Sequence, residues 1–311
     1  MANINVALLG DPEFAKELGK KGTVTDFTVY NYKGSDGKGG EMTAAFMVPT
    51  SYPDKLQSLT HVLSMADTAV VVVKGLNKEL GEFIIALDLL GFEKGIIMFD
   101  EYVEKDKFIN LVKGTTLESF IIVDKVPAEV YPRLAAHEIP KSDIEYVMVD
   151  AAFDVKSIGT VVLGVSRGNF AVHDELQAYP GDKKTGIRSI QVHDKDVKNA
   201  VPGDRVGFSL KGVTVEEVER GHMLAKPGTL QASDTLTGLF KKSNYFSDPI
   251  SAGMKMFIAA GLQYRQVDIV KIEGDSITLK ADRKIAFAKG SRFLLLKPDG
   301  KMRIAGVVTP Q

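Results

Sequence analysis

The feature that most constrains the fold is a change in residue pattern near Asp143. Before it, short runs rich in β-branched residues alternate with segments of helical apolar spacing, which is typical of a sheet covered by helices. After it, short β-type runs follow one another, separated by Gly, Pro and Asp, and no helical period appears. This second pattern favours small barrels or sandwiches. A chain of 311 residues is long enough for two or three domains.

The first part of the chain predicts an α/β domain with buried parallel strands. The segment between two of its strands, residues 33–40, is rich in glycine and predicts a tight hairpin turn, with a phosphate loop as the weaker alternative. The strands are expected at residues 5–9, 24–32, 42–48, 69–73, 95–99 and 120–123, and the helices at 53–66, 79–90, 103–112 and 127–137.

The charged residues are distributed unevenly along the chain. The formal net charge of the whole protein is -1, but residues 1–140 carry 14 basic and 20 acidic residues, whereas residues 231–311 carry 13 and 7. This surplus of positive charge predicts an anionic partner for the last part, the alternative being a solvated surface with a chance imbalance.

The composition also excludes several classes of site. The chain has no cysteine, so disulfides, thiolate metal sites and thiol nucleophiles are excluded. Its longest apolar runs are too short to cross a bilayer, and its N-terminus lacks the pattern of a secretory signal, so we expect a cytoplasmic protein without a membrane partner.

Residues 159–228 carry a resemblance to a known family. Their motifs occur in the same order as in the second domain of elongation factor Tu, and the His173-Asp174 pair and compact ending make the archaeal selenocysteine-specific elongation factors the most similar members. Residues 290–296 and 304–308 resemble the closing hairpin of the family's third domain. The motifs of the second domain are GTVVLG (159–164), RG (167–168), VHDEL (172–176), IQVH (190–193), AVPGDRVG (200–207) and ERGHMLAKPG (219–228).

The resemblance implies a degenerate G-domain-like α/β domain followed by two β-barrels, with boundaries at 1–140, 141–230 and 231–311. The extra C-terminal domain with which selenocysteine factors read a messenger-RNA hairpin has no counterpart in this sequence. We therefore expect an elongation-factor body without a selenocysteine-specific role.

The phosphate loop expected of such a domain, G-x-x-x-x-G-K-[ST], is altered. Residues 10–17 stand in its place and retain Gly10 and Lys16. Ala15 replaces the second glycine, and Glu17 replaces the hydroxyl residue that would bind magnesium. The loop also contains three acidic residues, which would repel a phosphate by roughly 1–4 kcal/mol for each close pair of charges.

Three further GTPase elements are altered. We expect the first switch loop to be deleted, because only Gly22-Thr23 separates the first predicted helix from the next strand. The Asn-Lys pair at residues 77–78 lies one strand too early to read guanine and predicts a helix start instead. In the second switch the Asp, Gly and His positions hold Val48, Ser51 and Tyr52, and Asp100-Glu101-Tyr102-Val103 replaces the guanine-reading Asn-Lys-x-Asp.

These changes predict a pseudo-GTPase with no catalytic residue, metal site or cofactor, in which the family's GTP and magnesium sites are lost. We expect it to bind tRNA, the ribosome or both. One alternative is a regulatory or scaffolding protein that uses the elongation-factor body to bind other proteins, including translation-related ones. Another is an active GTPase with an unorthodox site in which Lys16 still contacts phosphates. The five histidines show no metal-ligand spacing and are expected to be structural.

The resemblance also implies two RNA-binding surfaces, although ordinary barrel surface remains the alternative for both. Phosphate contacts by the third domain would use its surplus of Lys and Arg. The aminoacyl-tRNA cleft positions are Gln191, His193, Asp204 and Arg205, and the RNA backbone positions are Lys241, Lys242 and Arg265.

Overall fold

The structure, a computed structural model, describes residues 2–139 and 143–311. It contains an α/β part followed by two β-barrels. The described residues group into two compact units. The first contains the residues up to Ile139 together with the segments Ser243–Phe246 and Lys297–Ala305, and the second contains the remaining residues of both barrels.

A seven-stranded sheet forms the centre of the first unit. Its order is β2-β3-β4-β1-β5-β6-β7, with β1 parallel to both β4 and β5 and an antiparallel extension on one side. Every residue of β5 is buried, as expected for a parallel strand covered on both faces. The strands are β1 (Ala2–Leu9), β2 (Lys20–Val24), β3 (Thr28–Ser35), β4 (Glu41–Val48), β5 (Thr68–Val73), β6 (Gly95–Phe99) and β7 (Ile121–Val123).

Within residues 2–139, five α-helices and one short 3₁₀-helix accompany this sheet. The side chain of Asn77 accepts a hydrogen bond from the backbone N–H of Leu80, and Gly91 ends the same helix in the left-handed conformation at φ 78°. The Asn-Lys pair at residues 77–78 is therefore a helix start, as predicted. The helices are α1 (Phe14–Leu18), α2 (Leu56–Met65), α3 (Lys78–Leu90), α4 (Lys105–Leu111) and α5 (Pro127–Ala135), and the 3₁₀-helix is Thr116–Ser119.

The strand predicted at residues 24–32 is confirmed for residues 28–32, which belong to β3, but its start was wrong. Residues 25–27 form a turn that separates β3 from the end of β2. Phe27, in the turn, is fully buried, and all five residues of β2 are exposed. An exposed edge strand has no apolar alternation from which it could be recognised. Gly22-Thr23, predicted to link a helix to a strand, lies inside β2, so α1 leads almost directly into the sheet.

The glycine-rich segment between β3 and β4 is a hairpin turn, as predicted. The carboxylate of Asp36 accepts hydrogen bonds from the backbone N–H groups of Lys38 (2.7 Å) and Gly40 (2.8 Å). Two N–H groups that could face a phosphate are thus bound to a side chain of the same loop, and the phosphate-loop alternative does not apply.

The first barrel is built from a ring of six strands to which β13 adds a hairpin. The ring runs β11-β16-β8-β9-β15-β12 and closes through pairing of β12 with β11. Its interior is a cluster of Val, Ile, Leu and Phe side chains. The strands are β8 (Tyr146–Val155), β9 (Gly159–Ser166), β10 (Phe170–Ala171), β11 (Glu175–Tyr179), β12 (Lys184–Val192), β13 (Lys195–Val197), β14 (Asn199–Ala200), β15 (Arg205–Lys211) and β16 (Met223–Ala225).

The second barrel is closed by six strands in the order β17-β20-β19-β18-β21-β22. A small apolar cluster joins the two barrels, with Tyr179 and Met223 from the first and Leu230 and Ala286 from the second. In the described part of the chain from residue 143 onward there is no helix, as the sequence predicted. The strands are β17 (Gln231–Lys242), β18 (Lys255–Ala260), β19 (Gln263–Glu273), β20 (Ser276–Phe287), β21 (Phe293–Leu296) and β22 (Ile304–Pro310).

No helix within residues 2–139 or 143–311 combines the length and the apolar content needed to cross a membrane.

A buried ion pair connects α3 to the segment before β22. Glu82 is fully buried, and Arg303 donates to its two carboxylate oxygens from Nε (2.8 Å) and Nη2 (2.5 Å). The third guanidinium nitrogen, Nη1, donates to the carbonyl of Pro53 (2.6 Å), and Tyr52 Oη donates to Glu82 Oε2 (2.9 Å). Such a fork satisfies a buried carboxylate that would otherwise carry a large desolvation cost.

Replacing Arg303 with Met should therefore destabilise the protein by about 3–5 kcal/mol, because Glu82 would keep its charge in an apolar site without a partner. The free energy of unfolding, measured by urea denaturation, tests this. The matched control is Arg133→Met, which removes a half-buried helical ion pair with Glu129 and should cost at most about 1 kcal/mol. The double replacement Glu82→Leu with Arg303→Met should recover most of the loss. Equal losses of stability in Arg303→Met and Arg133→Met would contradict the role of Arg303 in balancing a buried charge.

Candidate functional site

The candidate site lies at the carboxyl edge of the first sheet, where β1, β4 and β5 end. Because β4 and β5 lie on opposite sides of β1, the edge contains a topological switch point, which is where open α/β sheets bind ligands. A cavity of about 210 Å³ is found there. Its lining is largely apolar and includes Pro12, Pro49, Pro53, Tyr52, Phe83 and Lys74.

Gly10, the first glycine of the altered phosphate loop, has a structural reason to be glycine. Its φ is 91°, and a β-carbon placed on it would lie 2.0 Å from the carbonyl oxygen of Val72. The backbone after β1 thus passes directly against β5, and any side chain at this position would clash.

Asp11 fills the loop with its own negative charge. It is 4% exposed, and its carboxylate lies 2.6 Å from Lys125 Nζ and 3.6 Å from Lys74 Nζ. It also accepts a hydrogen bond from the backbone N–H of Glu13 (3.2 Å). Burial opposes ionisation, but the bond to Lys125, the charges of Lys125 and Lys74 and the backbone N–H together lower the pKa of Asp11. The groups that would attract a phosphate here serve a side chain instead.

Asp100, which the sequence places at the predicted guanine-reading position, extends this network. It follows β6, and its Oδ1 lies 2.8 Å from the Nζ of Lys125, which follows β7. Burial lowers the pKa of Lys125, but hydrogen bonds to Asp100 and Asp11 more than compensate and raise it. Lys125 therefore links two carboxylates at the carboxyl edge. We call Asp11, Lys74, Asp100 and Lys125 the carboxyl-edge network.

The other positions of the altered loop lie apart from this network. Ala15 is fully buried among the residues of the apolar core. Lys16 is 59% exposed, and its Nζ is 2.5 Å from Glu13 Oε2. Glu17 is exposed. The helix that carries these residues, α1, has only five residues, too few to present an extended N-terminus to an anion.

The second-switch positions are also used structurally. Tyr52 bonds to Glu82, and burial, followed by the charge of Glu82, raises the pKa of Tyr52. The backbone N–H of Ser51 donates to the carbonyl of Asp26 (3.0 Å), and Val48 is buried. None of these side chains provides the imidazole with which the family's histidine position orients water.

Bound GTP and magnesium do not fit the residues at this edge. The loop lacks the hydroxyl ligand for magnesium, a buried carboxylate stands among its N–H groups, and the acid at the guanine position is paired with lysine. The cavity of about 210 Å³ is also smaller than the roughly 300–1,000 Å³ of ordinary ligand sites. No cluster of potential metal ligands occurs among the residues that the structure describes.

The predicted aminoacyl-tRNA positions lie near one end of the first barrel and differ in exposure. His193 and Asp194 form the two-residue turn between β12 and β13, both with positive φ, as in a type I′ hairpin. Gln191 is exposed and donates to Asp196 (2.9 Å). Asp204, in contrast, is 4% exposed and accepts from the backbone N–H of Val201. Arg205 lies 3.4 Å from the buried Asp150.

The predicted RNA backbone positions lie on two strands of the second barrel, Lys241 and Lys242 at the end of β17 and Arg265 in β19. Lys241 and Lys242 follow the Leu239–Ser276 pair, whereas Arg265 precedes the Val267–Ala281 pair. Lys242 Nζ also donates to the carbonyl of Asp248 (2.9 Å), so it fixes a loop.

Comparisons with known proteins agree with this architecture. The family model for elongation factor Tu domain 2 matches residues 159–225. An uncharacterized protein of Methanocaldococcus jannaschii is 35% identical over 311 residues, which cover 99% of either chain. The selenocysteine-specific elongation factor of the same organism is 27% identical over 292 residues, which cover 78% of this chain and 62% of that protein.

Solved structures show the same fold. Translation elongation factor SelB from Methanococcus maripaludis, in complex with the GTP analogue GppNHp, superposes with a TM-score of 0.81 at 22% identity over 99% of this chain and 79% of its own. A bacterial selenocysteine-specific elongation factor gives a TM-score of 0.78 at 19% identity, with 100% and 59% covered. The chain belongs to the elongation factor Tu/SelB-like family.

The carboxyl-edge network of this family member was missed by sequence reasoning, although a signal was present. Asp100 and Lys125 each come just after a predicted parallel strand, and such strand ends meet at one edge of a sheet. Reading the residues after every strand together would have found them. The pair of Glu82 with Arg303 has no such signal, because 221 residues separate the partners.

Asp11→Asn should lower the free energy of unfolding by about 1–3 kcal/mol at pH 7, the usual worth of hydrogen bonds to a charged group. Because the folded pKa of Asp11 is lowered, its contribution is complete above the ordinary pKa of about 4 and is lost as the pH falls through the folded value. Urea denaturation at pH 7 and near pH 3 should show the difference shrinking. The control Glu13→Gln, in an exposed pair, should change little. A difference in unfolding free energy between the wild type and Asp11→Asn that did not change with pH would contradict the role of Asp11 as a paired carboxylate.

Proposed function

We propose that this protein is a pseudo-GTPase of the elongation factor Tu/SelB-like family that binds tRNA or the ribosome without a GTP-driven switch. The observation that carries the proposal is the carboxyl-edge network, in which Lys125 is bound between Asp11 and Asp100. A nucleotide phosphate would have to displace a buried carboxylate from its two lysines and from a backbone N–H. The free energy of breaking these contacts would be subtracted from the binding energy of GTP, the family's usual ligand.

The relatives support the translational part of the proposal. One relative is named as a selenocysteine-specific elongation factor, and one solved structure holds a GTP analogue. This chain shares their three-part body, and its second barrel carries the chain's positive surplus, with 13 basic and 7 acidic residues over 231–311. Such a surplus favours contact with a phosphate backbone. We therefore propose that RNA binding is retained while nucleotide control is lost.

GTP, GDP and ATP should each fail to bind at micromolar concentrations in the presence of magnesium, because phosphate loop, metal ligand and base reader are altered together. Isothermal titration calorimetry measures this directly. A weak interaction that does not discriminate between bases is compatible with the exposed Lys16.

Two results would overturn the pseudo-GTPase proposal and favour an unorthodox GTPase. One is micromolar binding that prefers guanine, since base discrimination requires a hydrogen-bond partner worth about 1–3 kcal/mol. The other is GTP turnover by the wild type that Lys16→Ala abolishes. The exposed Lys113→Ala serves as the control for unspecific loss of charge.

RNA binding should weaken when Lys241 is reversed to Glu. A tRNA-binding titration at several salt concentrations should show affinity falling as salt rises, with a shallower slope in the variant by about one released ion. Lys242 is left unchanged because its bond to the Asp248 carbonyl fixes a loop.

The matched control is Lys113→Glu, which makes the same charge change on an exposed lysine of the first unit and should bind tRNA like the wild type. Equal weakening in both variants would mean that only net charge matters. Salt-insensitive binding, or none, would contradict the RNA proposal and favour a scaffold that binds proteins.

A further inference from the structure

A second and larger cavity lies at the amino ends of β5, β6 and β7, opposite the carboxyl edge. Its volume is about 450 Å³, within the range of ordinary small-molecule sites. The residues that begin these strands contribute to its lining, as does the C-terminal half of α5. Its apolar wall consists of the exposed Ile121, Pro132 and the almost completely buried Ile96 and Leu134.

Among the described residues, the charged ones that line this cavity are all basic: Lys38, Lys94 and Arg133, together with His137. Arg133 pairs with Glu129 (2.7 Å), which lies outside the lining. Within the described part of the chain, neither Lys38 nor Lys94 forms an ion pair within 4 Å. The cavity therefore concentrates positive charge that described residues do not neutralise by direct pairing.

The acidic groups beside this lining are paired, hydrogen-bonded or exposed. Glu129 pairs with Arg133, and the buried Asp67 accepts hydrogen bonds from Asn5 while its charge acts on His137. Asp36, which interacts electrostatically with Lys38, directs its carboxylate to the N–H groups of its own loop. Glu138 is exposed and lies beside His137. None of these side chains lines the cavity. An anionic ligand would meet lysines there without a competing carboxylate in the wall.

The pKa of the His137 ring would change when a charged ligand binds in this cavity. Its Nε2 donates to the carbonyl of Asp67 (3.1 Å), so in the neutral ring Nδ1 is an acceptor. Burial, and to a lesser degree the charge of Lys94, lowers the pKa of His137. The hydrogen bond to the Asp67 carbonyl and the charges of Asp67 and Glu138 act in the opposite direction. An anion bound beside it would stabilise the protonated ring and raise this pKa.

We propose that this cavity binds a small organic phosphate ester. Lys38 and Lys94 provide point charges for the phosphate, a role that lysine fills well, and the apolar wall accepts the organic part. A volume of about 450 Å³ is larger than an inorganic phosphate requires. The site lies at the opposite sheet edge from the carboxyl-edge network. Its test is therefore independent of the test of the pseudo-GTPase proposal.

The experiment titrates the full-length protein with adenosine 5′-monophosphate, ribose 5-phosphate and inorganic phosphate, using calorimetry and the NMR titration of the His137 ring. At least one ester should bind more tightly than inorganic phosphate and should raise the pKa of His137. Lys94→Ala should weaken ester binding about tenfold, as expected for one lost charge-assisted hydrogen bond. It should also raise the His137 pKa of the ligand-free protein, because Lys94 repels the ring proton.

The matched control is Lys21→Ala, which removes an exposed lysine from the far edge strand β2 and should bind the esters like the wild type. Absence of binding by both esters overturns the proposal, as does equal weakening in the two variants. Inorganic phosphate binding as tightly as the esters would also overturn it, because the apolar wall would then have no role.

Discussion

The pairing of Asp11 with Lys125 determines what the carboxyl edge of the first sheet can hold. Parallel strands end together at one edge, so charges that follow different strands come close in space. In a phosphate site this convergence yields unpaired N–H groups and a surplus of positive charge. Here the lysines meet two carboxylates, and the edge is close to neutral without a ligand. The edge thus has a stabilising role inside the protein.

The loop after β1 also differs from a phosphate loop in the helix that follows it. A helix that receives phosphate must be long enough to direct several N–H groups at it, but α1 has five residues and leads at once into an exposed edge strand. The retained glycine at position 10 is explained by its close approach to Val72. Packing alone is therefore sufficient to require glycine at this position.

Much of the fold could be predicted because periodicity and capping are local. The buried strand at 69–73, the helix that starts after Asn77 and the hairpin at 33–40 each follow from neighbouring residues. The edge strand β2 could not be found, because all its side chains are exposed and no pattern marks it. For the candidate site, sequence identified the altered positions but not their partners. The identity of the amine that neutralises Asp11 depends on tertiary contacts, and so does the burial of Asp204.

The bond between Glu82 and Arg303 limits how this protein can be divided for study. The segment Lys297–Ala305 belongs to the first unit although its neighbours in sequence, β21 and most of β22, are barrel strands. A fragment that ends before β17 would leave Glu82 buried with no cation to balance it. Any isolated version of the α/β part needs an apolar residue at position 82. Among natural sequences, the two positions are expected to change together.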